Sequence, residues 1–307
     1  MQKIRSLGTV SIIGPGLIGG SIGLGLKGHN LAKKVIGVGH RESSLEKALE
    51  MCAIDQATKD LKEGVREADV VILCTSVELI PSMAERVIPW MKNSAILTDV
   101  GSTKSYIVKK ILGAIHELPL QCQKDVKFIG GHPLAGSEQR AIEAAQPDLF
   151  QGALCILTPV RGNGQANNSR ESRRARDIIK GMWEALGAKV KFLSPEEHDL
   201  IMAFISHLPQ LVAASLVNVL RPGQKNFTAR GFKDTTRIAS SEPTLWQEIH
   251  LQNREALLEA ITDFQEEIDL IKKALLKKDS KQLFARLKRA KNIRDSLPDN
   301  KSYASKD

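Results

Sequence analysis

The stretch Val10-Ser11-Ile12-Ile13-Gly14-Pro15-Gly16-Leu17-Ile18-Gly19-Gly20 decides the fold. A short apolar run reads as a strand, passes into a glycine turn and continues into a helical pattern. Gly14, Gly16 and Gly19 have the spacing G-x-G-x-x-G. The first glycine permits a tight turn, the second lets the backbone approach a pyrophosphate, and the third lets helix and strand pack closely. Leu17 and Ile18 complete the loop. The phosphates of a dinucleotide then sit at the helix N-terminus, where backbone N–H groups lack partners. A strand before the glycines and a helix after them is the context that gives this pattern its meaning.

Outward from this turn, short β-like runs alternate with helical segments. Strands are expected at Val10–Ile13, Val35–Val38, Val70–Cys74, Ala95–Thr98, Phe128–Ile129 and Leu154–Leu157. Helices are expected over Ile18–Lys27, Ser43–Met51, Leu79–Val87 and Thr103–Ile115. This alternation predicts a mostly parallel sheet with helices on both faces, a doubly wound Rossmann-type α/β domain. The polar stretch from Arg161 to Arg174 reads as a surface loop or linker. Ala175–Leu186 and Lys189–Phe192 can complete the edge of the first domain. From Ser194 onward the pattern is helical, and Ser194-Pro195-Glu196-Glu197 is a good helix start. A single periodic helix is expected over Pro243–Lys278, about 50 Å long at 1.5 Å per residue. A helix of that length calls for a partner helix from a second subunit. The expected organisation is therefore a dinucleotide-binding domain over residues 1–170, with edge elements to 193. An all-α substrate and dimerisation domain over 194–296 and a disordered tail over 297–307 complete it.

Composition narrows the function. Of 307 residues, 42% are hydrophobic and 26% charged, as in ordinary globular proteins. The net charge is +9, but Ile271–Asp307, with 12 Lys and Arg against four Asp and Glu, carries +8 of it. The glycine-loop domain is nearly neutral, so a nucleic-acid partner is not expected. The basic positions of the last helix read as a solvated face. Cys52, Cys74, Cys122 and Cys155 have no C-x-x-C spacing, and nothing in the pattern calls for a metal or a disulfide. No uninterrupted apolar run of membrane-spanning length and no cleavable leader is read, so a cytoplasmic enzyme without a membrane partner is expected.

Five segments occur in a fixed order: Gly14-x-Gly16-x-x-Gly19, Asp99-Val-Gly-Ser-Thr-Lys104, Gly130-Gly-His-Pro-Leu-Ala-Gly-Ser-Glu138, Ser206-His-Leu-Pro209 and Gly231-Phe-Lys-Asp-Thr-Thr-Arg237. Together they resemble the prephenate/arogenate dehydrogenase family of tyrosine biosynthesis, over about residues 8–290. The resemblance implies oxidation of a ring alcohol on a cyclohexadiene by a nicotinamide cofactor. Carbon dioxide is lost from the opposite ring carbon and the ring aromatises.

Such chemistry needs a base for the hydroxyl proton, a cation for the ring carboxylate and a nicotinamide against the carbinol carbon. His132 is the base candidate. It is read as standing just after a strand, where ligands bind in open α/β sheets, and an ordinary imidazole pKa of about 6.5 suits the task. Ser102 can orient base and substrate, cap the following helix, or do both. The resemblance implies Arg237 as the carboxylate anchor, since a guanidinium grips a carboxylate through two parallel hydrogen bonds. It further implies Ser137, Glu138, His207 and Gln210 around the substrate, with Glu138 as a gating acid, and Cys74, Thr75 and Ser76 beside the cofactor.

Two positions depart from many relatives. Gln210 stands where prephenate-using relatives carry a His, which makes arogenate a serious candidate beside prephenate. Gly39 stands where NAD-preferring relatives carry an acid for the ribose hydroxyls. With His40, Arg41 and Ser43 following, this turn favours a 2′-phosphate and hence NADP, with NAD as the alternative. Other readings remain open at this stage: a β-hydroxyacid dehydrogenase or imine reductase, or a dinucleotide-sensing protein without catalysis. The first would place its catalytic residue on the helical domain, and the second would not need His132 and Arg237 together.

Overall fold

The structure, a computed structural model, describes residues 6–116, 125–136, 141–159 and 170–297. The chain divides into two compact units, one of Met1–Asp199 with Ser241–Gln252 and one of Leu200–Ser240 with Asn253–Asp307.

The first unit alternates strand and helix along most of its length: β1 (Thr9–Ile13), α1 (Leu17–Gly28), β2 (Lys34–Val38), α2 (Glu42–Glu50), β3 (Gln56–Thr58), α3 (Leu61–Val65), β4 (Val70–Leu73), α4 (Leu79–Val87), β5 (Ile96–Asp99), α5 (Ser105–His116), β6 (Lys127–Pro133), β7 (Leu154–Pro159), α6 (Arg170–Ala185), β8 (Lys189–Phe192) and α7 (Pro195–Met202). The eight strands form one sheet in the order β3-β2-β1-β4-β5-β6-β7-β8. The order of the first five reverses direction at β1, as in a doubly wound dinucleotide fold, and this switch point lies where the glycine turn emerges. All neighbours are parallel except β6 and β7.

The central strands β1, β4 and β5 are buried on both faces. Val10 and Ile12 of β1, Val70 and Ile72 of β4 and Ile96 of β5 join the core under α1 and α6. Ile13, Val71, Leu73 and Leu97 join the core on the opposite face, with Ile80 of α4 and Ile107 of α5. Successive side chains of a strand point to opposite faces, so an unbroken apolar run is what a sheet covered on both sides requires.

Strand β3 has no counterpart in the sequence reading, because its three residues are half-buried and include no large apolar side chain. Strand β6 differs more usefully. It pairs with β5 only over Lys127–Ile129 and then runs on to Pro133, antiparallel to β7, with His132 opposite Ile156. His132 therefore lies within a strand, not after one, and three residues beyond the last residue paired with β5.

The second unit contains α8 (Leu208–Asn218) and α9 (Arg230–Thr236). Then α10 (Pro243–Gln252) belongs to the first unit, and α11 (Arg254–Leu276) and α12 (Ser280–Ser296) to the second. The single helix expected over Pro243–Lys278 is thus two helices. Asn253 leaves the helical conformation at φ −102° and ψ 30°. Its buried side-chain Nδ2 is 3.0 Å from His207 Nδ1, and its carbonyl accepts the Leu257 N–H at 3.0 Å to start α11. A side-chain partner outside the helix has displaced the local helical register.

The linker residues 161–169 and the tail 298–307 lie outside the described residues, as does Cys122, while Arg170–Arg174 form the first turns of α6. Cys52, Cys74 and Cys155 are free thiols. The helical run Pro195–Asn218 is long and apolar enough to cross a membrane by length and composition. Its His198, Asp199 and His207 side chains are nevertheless buried and hydrogen-bonded inside the protein.

Candidate active site

The dinucleotide end is built by backbone proximity. Gly14 has φ +89°, and a Cβ there would lie 2.8 Å from the Cys74 carbonyl oxygen. A Cβ on Gly19 would lie 2.5 Å from the Gly14 carbonyl oxygen, so the turn closes only with glycine at both places. Gly16 precedes α1, whose first turn has neither a side-chain cap nor an acid. The unpartnered N–H groups of that turn, past Leu17 and Ile18, fit the pyrophosphate of a dinucleotide. Cys74, Thr75 and Ser76 follow β4 beside the turn, with Cys74 N–H donating to the Ile13 carbonyl at 2.8 Å. Burial pushes the Cys74 thiol well above its ordinary range, and the charge of Asp99 adds to this, so Cys74 is a neutral wall and not a reactive thiolate.

At the end of β2, Gly39 N–H donates to the Thr58 carbonyl at 3.3 Å. His40, Arg41 and Ser43 are all exposed there, and Arg41 opens α2 from an extended backbone. No carboxylate stands at position 39. Glu42, next along, is ion-paired with Lys59.

A second cluster of polar side chains lies at the carboxyl ends of β5 and β6. Asp99 closes β5, and its side chain and that of Lys104 are an ion pair with no solvent exposure. Asp99 Oδ2 also accepts the Gly101 N–H at 2.9 Å, and Oδ1 accepts the Gly131 N–H at 3.1 Å. A Cβ on Gly131 would lie 2.8 Å from the Asp99 carbonyl oxygen, and one on Gly130 only 2.4 Å from Thr158 Oγ1. The glycine pair before His132 is therefore a packing requirement that lets β5, β6 and β7 converge.

His132 Nδ1 lies 2.8 Å from Nε2 of His198, at the start of α7, and His198 Nδ1 lies 2.8 Å from Asp199 Oδ1. The rings meet edge to face, with centroids 5.1 Å apart. Asp199 also accepts the N–H of Lys104 at 2.7 Å and of Ser105 at 2.8 Å, so it caps α5 from a distant part of the chain. Burial alone would raise the Asp199 carboxyl, but the hydrogen bonds from His198, Ser105 and Lys104 more than offset it, and it stays below its ordinary value. Burial lowers His198, and the positive Lys104 acts in the same direction, against the hydrogen bond to Asp199. His198 is thus held neutral beside an ionised carboxylate.

These states fix the tautomers. An ionised carboxylate only accepts, so His198 Nδ1 carries a proton and donates it to Asp199. A neutral imidazole has one donor and one acceptor, so His198 Nε2 accepts. The facing His132 Nδ1 must then donate, which places the His132 lone pair on Nε2.

Ser102 is half-buried in the turn between β5 and α5. It does not start the helix, which begins at Ser105, and the N–H groups there are capped by Asp199. Thr103 Oγ1 donates instead to Gln252 Oε1 at 2.7 Å.

In the second unit, Ala203–His207 form a wide π-helical turn immediately before Pro209. Proline cannot donate to the carbonyl four residues earlier, and its ring crowds that carbonyl, so the turn there opens. The turn carries His207, which is buried and accepts from Asn253 on Nδ1, leaving the N–H on Nε2. Gln210 follows one turn on and is buried. Arg237 ends α9 with an exposed side chain. Ser137 and Glu138 lie outside the described residues.

Four residues of the site had no role assigned from sequence: Asp99, Lys104, His198 and Asp199. Asp99 and Lys104 bound a recognised motif, and their charges alone were a signal. His198 and Asp199 directly follow the expected helix start, which forms a capping box: Ser194 N–H donates to Glu197 Oε2 at 2.8 Å and Glu197 N–H to Ser194 Oγ at 3.1 Å.

Residues 22–192 match the family model described as prephenate dehydrogenase, nucleotide-binding domain, and residues 194–289 match that described as prephenate dehydrogenase, dimerization domain. The chain is 38% identical to a prephenate dehydrogenase of Bacillus subtilis, over 94% of this chain and 76% of that protein. Among solved structures, prephenate dehydrogenase from A. aeolicus, in complex with hydroxyphenyl propionate and NAD+, superposes with a TM-score of 0.85 at 28% identity, over 96% of this chain and all of that one — 100% by length. Synechocystis arogenate dehydrogenase superposes with a TM-score of 0.78 at 29% identity, over 94% of this chain and 99% of that one. With both domain models matched in order and the glycine turn and His132 strand in place, the chain belongs to the prephenate dehydrogenase family and is an NAD(P)-dependent dehydrogenase.

Proposed function

We propose that the protein oxidatively decarboxylates prephenate, arogenate or both, as a step in tyrosine biosynthesis, giving 4-hydroxyphenylpyruvate or tyrosine. The observation that carries this reading is the hydrogen-bonded line from half-buried His132 through buried His198 to Asp199, which puts the His132 lone pair on Nε2 at the end of a sheet built for a dinucleotide.

Bound NAD(P)+ supplies the hydride acceptor. His132 accepts the proton of the ring hydroxyl as the carbinol carbon is oxidised, a general-base role typically contributing about 10²–10⁴-fold. Ser102 orients the hydroxyl. Arg237 holds the ring carboxylate until aromatisation releases it as carbon dioxide. His207 presents its Nε2–H, and Gln210, with Ser137 and Glu138, contacts the variable side chain of the substrate. Gln210 is neutral, which favours acceptance of the amino-acid side chain of arogenate beside the pyruvyl group of prephenate.

NADP is the preferred cofactor in this reading. Gly39 offers no carboxylate to repel a 2′-phosphate, while His40, Arg41 and Ser43 are exposed beside it. Glu42 is engaged by Lys59, which leaves Arg41 the nearer unneutralised charge in sequence. The enzyme acts as a cytoplasmic homodimer. In support, exposed Leu258, Phe264, Ile268 and Leu275 recur along α11, within the region that matches a dimerization-domain model. Supplying each substrate in turn with each cofactor, and identifying the aromatic product, tests the function directly.

A further inference from the structure

We propose that His198 is a positioning residue that also takes up the proton displaced from His132, so that the charge created by substrate oxidation comes to rest on the buried His198–Asp199 pair. The proposal rests on the reading of His132 as the base.

The hydrogen-bond line has one polarity. Asp199 accepts on both oxygens, from two backbone N–H groups and from His198 Nδ1. His198 Nε2 therefore accepts from His132 Nδ1, 2.8 Å away. When the substrate O–H bond breaks, its proton forms the Nε2–H bond of His132. The Nδ1–H bond of His132 then breaks as an Nε2–H bond forms on His198. The hydride of the carbinol C–H bond passes to the bound nicotinamide. His132 is neutral again, and His198 is an imidazolium facing the Asp199 carboxylate. Decarboxylation then leaves its electron pair on the ring oxygen of the aromatised product. The proton returns by the reverse route, from His198 through His132, to that oxygen to give the phenol, so no net proton is released.

The surroundings support this direction of transfer. Moving the positive charge one ring further from His132 brings it into contact with a carboxylate, which favours the charged form. The charged and titratable groups facing His198 are His132 on β6, Asp99 closing β5, Lys104 ahead of α5, and Asp199 on its own helix. Lys104 opposes a proton on His198, but its ammonium is paired with Asp99, whereas Asp199 lies in direct contact with His198. Burial, like Lys104, opposes a proton on His198, so the transfer depends on the direct contact with Asp199, while the lack of solvent exposure keeps bulk water from competing for the displaced proton. Without a ring at position 198, His132 can still be hydrogen-bonded in place, but it must keep the charge.

His198→Gln separates the two contributions, because the amide can accept from His132 Nδ1 but takes no proton. The intact variant should bind NAD(P)+ as tightly as wild type and lose about 10–100-fold in kcat, a fraction of a general base's contribution. The acid limb of its kcat/KM profile should move to lower pH, since protonated His132 loses its coupling to Asp199. A loss of kcat with an unmoved limb would show packing alone and overturn the relay. Wild-type turnover with a wild-type limb would do the same. His132→Asn measured in parallel separates this from the parent reading: if His132→Asn keeps turnover, the base assignment fails, whereas if only His198→Gln keeps it, the relay alone fails. Should His198→Gln not fold, imidazole 15N shifts of the wild-type enzyme still decide. The proposal requires Nδ1–H tautomers on both His132 and His198, and an Nε2–H tautomer on either overturns it.

Discussion

His132 Nδ1 and His198 Nε2 lie 2.8 Å apart, although 66 positions separate the two residues in the chain. One comes from a strand that overruns the parallel part of the sheet, the other from the first turn of a capped helix. Their contact orients the His132 ring, and Asp199 behind them sets which nitrogen carries the proton. If His132 is the base, His132→Asn should reduce kcat by about two to four orders of magnitude and leave NAD(P)+ affinity unchanged. Near-full turnover in that variant would end the assignment.

Arg237 tests the substrate end. Its side chain is exposed at the end of α9, so the fold should persist when it is replaced. Arg237→Gln should raise KM about tenfold or more, since a charge-assisted contact to a carboxylate is worth about 1.5–3 kcal/mol. An unchanged KM for both candidate substrates would remove Arg237 from the role.

The turn after β2 tests cofactor choice. A Cβ on Gly39 would lie 3.3 Å from Leu45 Cδ2 and 3.6 Å from Pro15 Cδ, so a side chain fits with a small adjustment. Gly39→Asp should shift the ratio of kcat/KM values toward NAD by about tenfold or more, because the new carboxylate binds ribose hydroxyls and repels a 2′-phosphate. A wild-type enzyme that uses NAD at least as efficiently as NADP would contradict this reading of the turn.

Lys104 and Asp99 test the scaffold. Both are fully buried, and Asp99 joins the ends of β5 and β6 through the N–H groups of Gly101 and Gly131. Lys104→Met should destabilise the protein by about 3–5 kcal/mol, because it leaves a buried carboxylate without its counter-charge. Urea unfolding that shows a loss under about 0.5 kcal/mol would mean that the pair contributes little.

Much of the first unit was legible in the sequence because its signals are local. The glycine turn, the apolar runs of β1, β4 and β5 and the Ser194 cap each declare themselves within a few residues. β3 did not, since Gln56-Ala57-Thr58 is held by its neighbour β2 and not by an apolar pattern of its own. The break at Asn253 was invisible for a related reason: its cause is His207, 46 positions away. The site divides in the same way. Gly130-Gly131-His132 could be read as a motif, but the partner that fixes the His132 tautomer is set by tertiary packing. His198-Asp199 looks in sequence like the polar first turn of any helix. Only the folding of α7 against β6 and the start of α5 gives these two residues their roles.

This chain oxidises and decarboxylates a cyclohexadiene substrate at the expense of NAD(P)+. The most direct measurement is reduced-cofactor formation by the purified protein with prephenate and with arogenate, each in the presence of NADP+ and of NAD+, with the aromatic product quantified. One aromatic product and one carbon dioxide should form per reduced cofactor with at least one of the two substrates, with faster turnover on NADP+. Folded protein that binds the cofactor yet reduces neither NADP+ nor NAD+ with either substrate would contradict it.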